Sequence, residues 1–218
     1  MMRVLVINPN STVSMTAGVL AAARAAAAPD VTVEGRTNLG APAAIQGPVD
    51  GEAATPGVIA IVADAVKEGF DAAIIACFDD TGLEEARATS PIPVIGIGQA
   101  AFLAAMVYGR FSVITTLPVS VPVIEANIDR YGLADCCAAV HASGLPVLFL
   151  EQDPAAAKAT LTDCAKRVAS QDSTQALVLG CAGMAAFGPA MERASGLPAV
   201  DGVAAAAGLA RTVIKATG

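Results

Sequence analysis

Short runs of large, mostly β-branched apolar residues alternate along the chain with longer Ala-rich stretches. Val4–Asn8 reads as a first strand, Thr12–Ala28 as a helix stopped by Pro29, and Val31–Arg36 as a second strand. A stretch rich in Gly and Pro, Asn38 to Gly57, reads as a loop long enough to suggest function. Val58–Gly69 then reads as a helix, Asp71–Cys77 as a strand and Gly82–Ala88 as the start of a helix. Val94–Ile97 reads as a strand and Gln99–Tyr108 as a helix. The order then recurs. Phe111–Thr116, Ala138–His141, Ala176–Gly180 and Ala199–Val200 read as strands. Pro118–Tyr131, Pro154–Ser170, Gly183–Ser195 and Val203–Ala216 read as helices. Strands that are continuous Val/Ile runs, each followed by a helix, imply parallel sheets covered by helices on both faces.

The two halves match in position as well as in order. Cys77, at the end of Ala72-Ala73-Ile74-Ile75-Ala76, has its counterpart in Cys181, 104 positions later. Pro93 has its counterpart in Pro198, 105 later, and Asn8 in Thr115, 107 later. A period this long signals duplicated lobes, not a solenoid. The fold class expected is therefore α/β. It comprises two similar lobes with parallel sheets, related by a pseudo-two-fold, with the active site in the cleft between them. Residues 1–97 with about 203–218 are expected to form one lobe and 98–202 the other.

Composition narrows the function. Apolar residues make up 55% of the chain and charged ones only 15%, which excludes a disordered protein. A net charge of −7 offers no electrostatic footing for nucleic acid. No run approaches the roughly 20 apolar residues of a membrane span. Val4–Ile7 is too short for the core of a signal peptide. A cytoplasmic protein is expected, a homo-oligomer acting on a small molecule, with neither membrane nor nucleic acid as partner. Five cysteines at irregular spacing make no disulfide framework or CxxC pair, and the single His141 cannot build a His-rich metal site. No metal is expected. No Gly-rich phosphate loop follows the first strand and no Lys stands at a strand end, so no cofactor is expected either.

The chemistry then falls to cysteine. In open α/β sheets ligands bind beyond the carboxyl ends of the strands. Cys77 and Cys181 stand at two equivalent ends, each before small or polar residues and a helix. A helix N-terminus lowers a thiol pKa and favours thiolate. Loose backbone N–H groups in Phe78-Asp79 and Ala182-Gly183 would hold carbonyl oxygens or an enolate. Two sulfurs facing one cleft suit removal of a proton from one face of a carbon and its return to the other. Cys136, Cys137 and Cys164 read as packing residues. Asn8 sits where a ligand's polar edge would lie, and Thr115 and Thr116 are its counterparts. Asn10 or Ser11 suits a helix N-cap. Asp79 and Asp80 either cap the helix near Gly82 or orient or deprotonate Cys77. Gln46, in the long loop, either closes over substrate or is simply polar. His141, without a repeat partner, reads as a strand-end residue.

Ile7-Asn8-Pro9-Asn10-Ser11-Thr12, Ala76-Cys77-Phe78-Asp79-Asp80 and Gly180-Cys181-Ala182-Gly183-Met184 together resemble the aspartate/glutamate/hydantoin racemase superfamily, closest to its hydantoin and allantoin racemases. The resemblance spans the chain, through Ile45-Gln46-Gly47 and Phe111–Pro118. It implies two flavodoxin-like lobes and two cysteines, here Cys77 and Cys181, acting as acid and base without cofactor. No His follows Cys181, unlike the Gly-Cys-Thr-His of glutamate racemases, which weighs against a free amino acid as substrate. Asp79-Asp80-Thr81 stands where the hydantoin branch often has Gly-Asp-Pro. The function implied is racemisation of 5-substituted hydantoins or allantoin at C5. An amino-acid racemase, another isomerase or decarboxylase of the superfamily, and a non-catalytic small-ligand-binding protein are the alternatives.

Overall fold

The computed structural model describes residues 1–217. Gly218, placed by the sequence reading at the end of the first lobe, lies outside them. In chain order the elements are β1 (Met2–Asn8), α1 (Val13–Ala26), β2 (Val31–Thr37), α2 (Pro48–Lys67), β3 (Ala72–Ile75), α3 (Leu83–Thr89), β4 (Val94–Gly96) and α4 (Ile97–Ala105). The second half supplies β5 (Phe111–Thr115), α5 (Val121–Arg130), β6 (Cys137–Ala142), α6 (Phe149–Gln152), α7 (Pro154–Gln171), β7 (Ala176–Gly180), α8 (Gly188–Ser195), β8 (Ala199–Asp201) and α9 (Gly202–Thr217).

The strands form two four-stranded sheets with the same order, β2-β1-β3-β4 and β6-β5-β7-β8, and every pairing is parallel. The central strands β3, β5 and β7 are buried along their whole length, as strands covered on both faces must be. Ile7 pairs with Ile75 in one sheet and Thr115 with Gly180 in the other, so the chain leaves each central pair of strands at a matching place.

The helix after the fourth strand of each sheet packs on the other sheet. Ala101, Phe102 and Ala105 of α4 share a core with Phe111, Val113 and Val178. Val203, Ala206, Ala207 and Ala210 of α9 share one with Val4, Val6 and Ile74. Small alanines let these helices approach closely. Each lobe's core is completed by the other half's helix.

Two sequence expectations are corrected. The loop after β2 ends at Gly47, because α2 begins at Pro48 and runs through Pro56. Pro48 occupies the first turn, where its missing N–H is no loss. Pro56 and Glu52 are exposed, so the carbonyl that Pro56 leaves without a donor meets solvent. The expected helix Gly183–Ser195 is instead a 3₁₀ segment, Ala182–Phe187, followed by α8. Pro189 is tolerated only in a first turn, so the α-helix restarts at Gly188.

Candidate active site

The turn after β3 presents Cys77, and the turn after β7 presents Cys181. Both line one cavity between the sheets. Asn10 and Met15 close it from the first lobe, and Thr115, Thr116 and Ser120 from the second. The Thr81 hydroxyl donates to the Cys77 sulfur at 3.3 Å. A larger, largely apolar cavity of about 400 Å³ adjoins it, sharing Met15 and Ala182.

The expectation that helix N-termini lower the thiol pKa values is not met. A full turn, Phe78 to Gly82, separates Cys77 from α3, and Cys181 heads only a 3₁₀ segment. Burial dominates. It pushes the Cys77 thiol well above its usual range, with the Asp79 charge adding and the Thr81 hydroxyl and Asp79 N–H opposing. Burial likewise pushes Cys181 up to about 12, against a backbone hydrogen bond from Gly183. The other cysteines also divide differently from expectation. Cys164 is buried in the core beneath α7, whereas Cys136, just before β6, and Cys137, on that edge strand, pack against the core while staying half-buried.

The two aspartates have separate tasks. Asp80 adopts a left-handed backbone, φ 50°. Its carboxylate accepts from the Gly98 and Gln99 N–H groups at 2.9 and 2.8 Å and from the Tyr131 hydroxyl at 2.8 Å. It therefore caps α4, not α3, and does not orient Cys77. Gly98 is required there, since a Cβ would strike the Phe78 carbonyl oxygen. Asp79 borders the cavity that Cys77 and Cys181 share. Its carboxyl has the Ser120 hydroxyl at 3.5 Å, and its carbonyl accepts from Asn127 at 2.8 Å. Burial and then the Asp80 charge push Asp79 up to about 7. Burial also pushes Asp80 up, to about 6, but three donors oppose it, so Asp80 is the readier of the two carboxyls to ionise.

Of the other residues singled out in the sequence, Phe78, Thr115, Thr116 and Ala182 border the cavity. Phe78 also stacks edge-on against Phe102 at 5.4 Å, and Thr115 donates to the Gly180 carbonyl at 2.9 Å. Gly183 borders the adjoining apolar cavity. Gln46 spans the cleft from outside, accepting from the Val147 N–H at 3.0 Å. Asn8 does not border the cavity. Its amide donates to Asn10, Thr12 and Thr16 and shapes the turn that delivers Asn10. The neighbour of Asn8 thus takes the place expected for it. Ser120, Ile45 and Val147 carry no sequence signal for their place in the wall. His141 pairs with Asp172 at 2.8 Å outside the cavity, and Ser112 shares that carboxylate.

Comparison with known proteins agrees with this geometry. The family model for Asp/Glu/Hydantoin racemase matches residues 4–210. A hydantoin racemase of Rhizobium meliloti is 43% identical over 216 residues, 99% of this chain and 90% of that one. One from Pseudomonas sp. (strain NS671) is 38% identical, covering 98% and 86%. The solved allantoin racemase from Klebsiella pneumoniae superposes with a TM-score of 0.96 at 35% identity, over 100% of this chain and 89% of that one. Paired cysteines on matched strand ends, and a family match along nearly the whole chain, lead to one assignment: the chain belongs to the Asp/Glu/hydantoin racemase family.

Proposed function

We propose that the protein is a cofactor-independent racemase of 5-substituted hydantoins or allantoin, working by two-base proton transfer at C5. The observation that carries this reading is the opening of Cys77 and Cys181, from equivalent strands of two sheets, onto one cavity. One sulfur, as thiolate, removes the C5 proton. The electron pair moves onto the adjacent C4 carbonyl oxygen. The other thiol then delivers its proton to the opposite face. Turnover leaves a proton on the sulfur that began as thiolate and the charge on its partner, so the reverse enantiomer is processed by the mirror path. The C5 anion is a delocalised enolate, and each well-placed donor to its oxygen is worth about 3–4 kcal/mol, so no electron sink beyond the ring is needed.

Phe78, Asp79, Thr115, Thr116, Ala182 and Gly183 are the proposed substrate contacts, and Asn10 and Ser120, which line the same cavity, are proposed with them. Gln46 closes the cleft, and Asn8 supports Asn10. The adjoining apolar cavity beside Ala182 offers space for the 5-substituent. The same reading places a homo-oligomer in the cytoplasm. Among the described residues no helix is long and apolar enough to cross a membrane. Exposed Leu103, Val107 and Tyr108 at the end of α4 offer a surface for self-association.

Cys77→Ser and Cys181→Ser test the reading. Wild-type protein is expected to abolish the optical rotation of a single-enantiomer hydantoin while solvent deuterium enters C5. Each variant is expected to lose racemisation yet still exchange the C5 proton of one enantiomer, the two variants favouring opposite enantiomers. Racemisation at near wild-type rate by either variant contradicts the two-base assignment.

A further inference from the structure

The catalytic cavity has an uneven charge inventory. Two thiols and one carboxyl face it, and among its described lining residues there is no Lys, Arg or His. Catalysis by one thiolate already places a negative charge in this space, and an ionised Asp79 beside it would be a second without a counter-ion. Asp79 lies close enough to both sulfurs that its ionised form would raise the pKa of each and oppose the thiolate. Its neighbour Asp80 is held by three donors that favour its charged form. Asp79 also borders a second, polar cavity, where Arg130 stands among Glu52, Glu84, Glu85 and Asp80, and Arg87 acts on Asp80; neither arginine makes an ion pair with Asp79 among the described residues, and none of Arg130, Glu52, Glu84 and Glu85 lines the catalytic cavity. Within the cavity wall the only side-chain partner of the Asp79 carboxyl is the Ser120 hydroxyl, at a long 3.5 Å. A carboxyl so placed is free to turn an O–H toward a ligand.

We propose that Asp79 enters the reaction as a neutral carboxylic acid and donates its O–H to the ring carbonyl oxygen that becomes the enolate. This rests on the racemase reading above. The C5 proton goes to the thiolate and the electron pair to the carbonyl oxygen. The Asp79 O–H holds that oxygen and keeps its own proton, and the opposite thiol reprotonates C5. Proton count on Asp79 is unchanged through turnover. An apolar surround that keeps a carboxyl neutral makes it a strong donor to such an oxyanion.

Three measurements test this. The side-chain carboxyl carbon shift of Asp79, followed by NMR in isotopically labelled wild-type protein, is expected to report a protonated acid up to neutral pH. Asp79→Asn keeps a donor and removes the titration. It is expected to retain racemisation within about tenfold of wild type, whereas Asp79→Ala loses a hundredfold or more, the usual cost of one oxyanion donor. The fall of wild-type kcat/KM as Asp79 ionises is expected to vanish in Asp79→Asn. An Asp79 ionised throughout the titration, an Asn variant as impaired as the Ala variant, or an Ala variant as active as wild type would each overturn the proposal. Those outcomes leave an active wild-type racemase. Failure of wild type to racemise any hydantoin or allantoin sinks the functional reading instead.

Discussion

Cys77 is held by the Thr81 hydroxyl and the Asp79 N–H, and Cys181 by the Gly183 N–H, in surroundings that disfavour charge. Their chemistry was legible in the sequence, because a thiol at each of two repeat-related strand ends has few structural explanations. Their protonation was not, since burial is a property of the closed cleft and not of the strand end. The raised thiol pKa values set the pH behaviour. Folded chain keeps protons that the unfolded thiols release near their ordinary value of about 8.5. The stability this contributes is full below that value and is lost as pH rises toward the folded values. On the proposed two-base mechanism activity depends oppositely on the thiols, because only a thiolate removes the C5 proton. The expected outcome is kcat/KM rising from neutral into alkaline pH in Asp79→Asn, a rise that Asp79 ionisation cuts short in wild type, while the thermal midpoint falls as pH passes the unfolded thiol value. The fall should be shallower in Cys181→Ser, as parallel pH–rate and melting series will show.

At the scale of elements, the site depends on how a turn is seated. The turn after β3 is held because the Asp80 carboxylate reaches two N–H groups at the start of α4, and Gly98 leaves room for it. Gly98→Ala is expected to push the Phe78 carbonyl away and to break this cap. A stability loss of about 2 kcal/mol or more, typical of a disrupted buried hydrogen-bonded carboxylate, should accompany reduced activity. Denaturant unfolding and the racemisation assay check the two together. The partner of Asp80 lies 18 residues ahead in the sequence, with β4 between, and no local pattern distinguishes that role from capping α3. The loop before α2 shows the same limit. Pro48 and Pro56 read as breakers, and only the solvent-facing position of Pro56 makes it tolerable in a helix.

Over the whole molecule, the exchange of α4 and α9 makes the two sheets interdependent. We propose that the lobes comprise residues 1–97 with 203–217 and residues 98–202, each half lending its last helix to the other. A single cooperative thermal transition is expected. Ala207→Asp, which buries an unpaired carboxylate between α9 and the first sheet, is expected to destabilise by about 3 kcal/mol or more. Calorimetry should show that one transition move as a unit. Two separate transitions, with only one displaced, would contradict the interdependence.

The sequence by itself determined the alternation of strands and helices, the duplication, and the pairing of Cys77 with Cys181. These are written in local hydrophobic runs and in spacing. Tertiary structure alone decided that Asn10 and not Asn8 borders the cavity, that Asp80 caps α4 while Asp79 faces the thiols, and that both thiols are raised and not lowered. Each of those depends on which groups the two lobes bring together and how much water they exclude, and desolvation in a cleft is set by atoms distant in the chain.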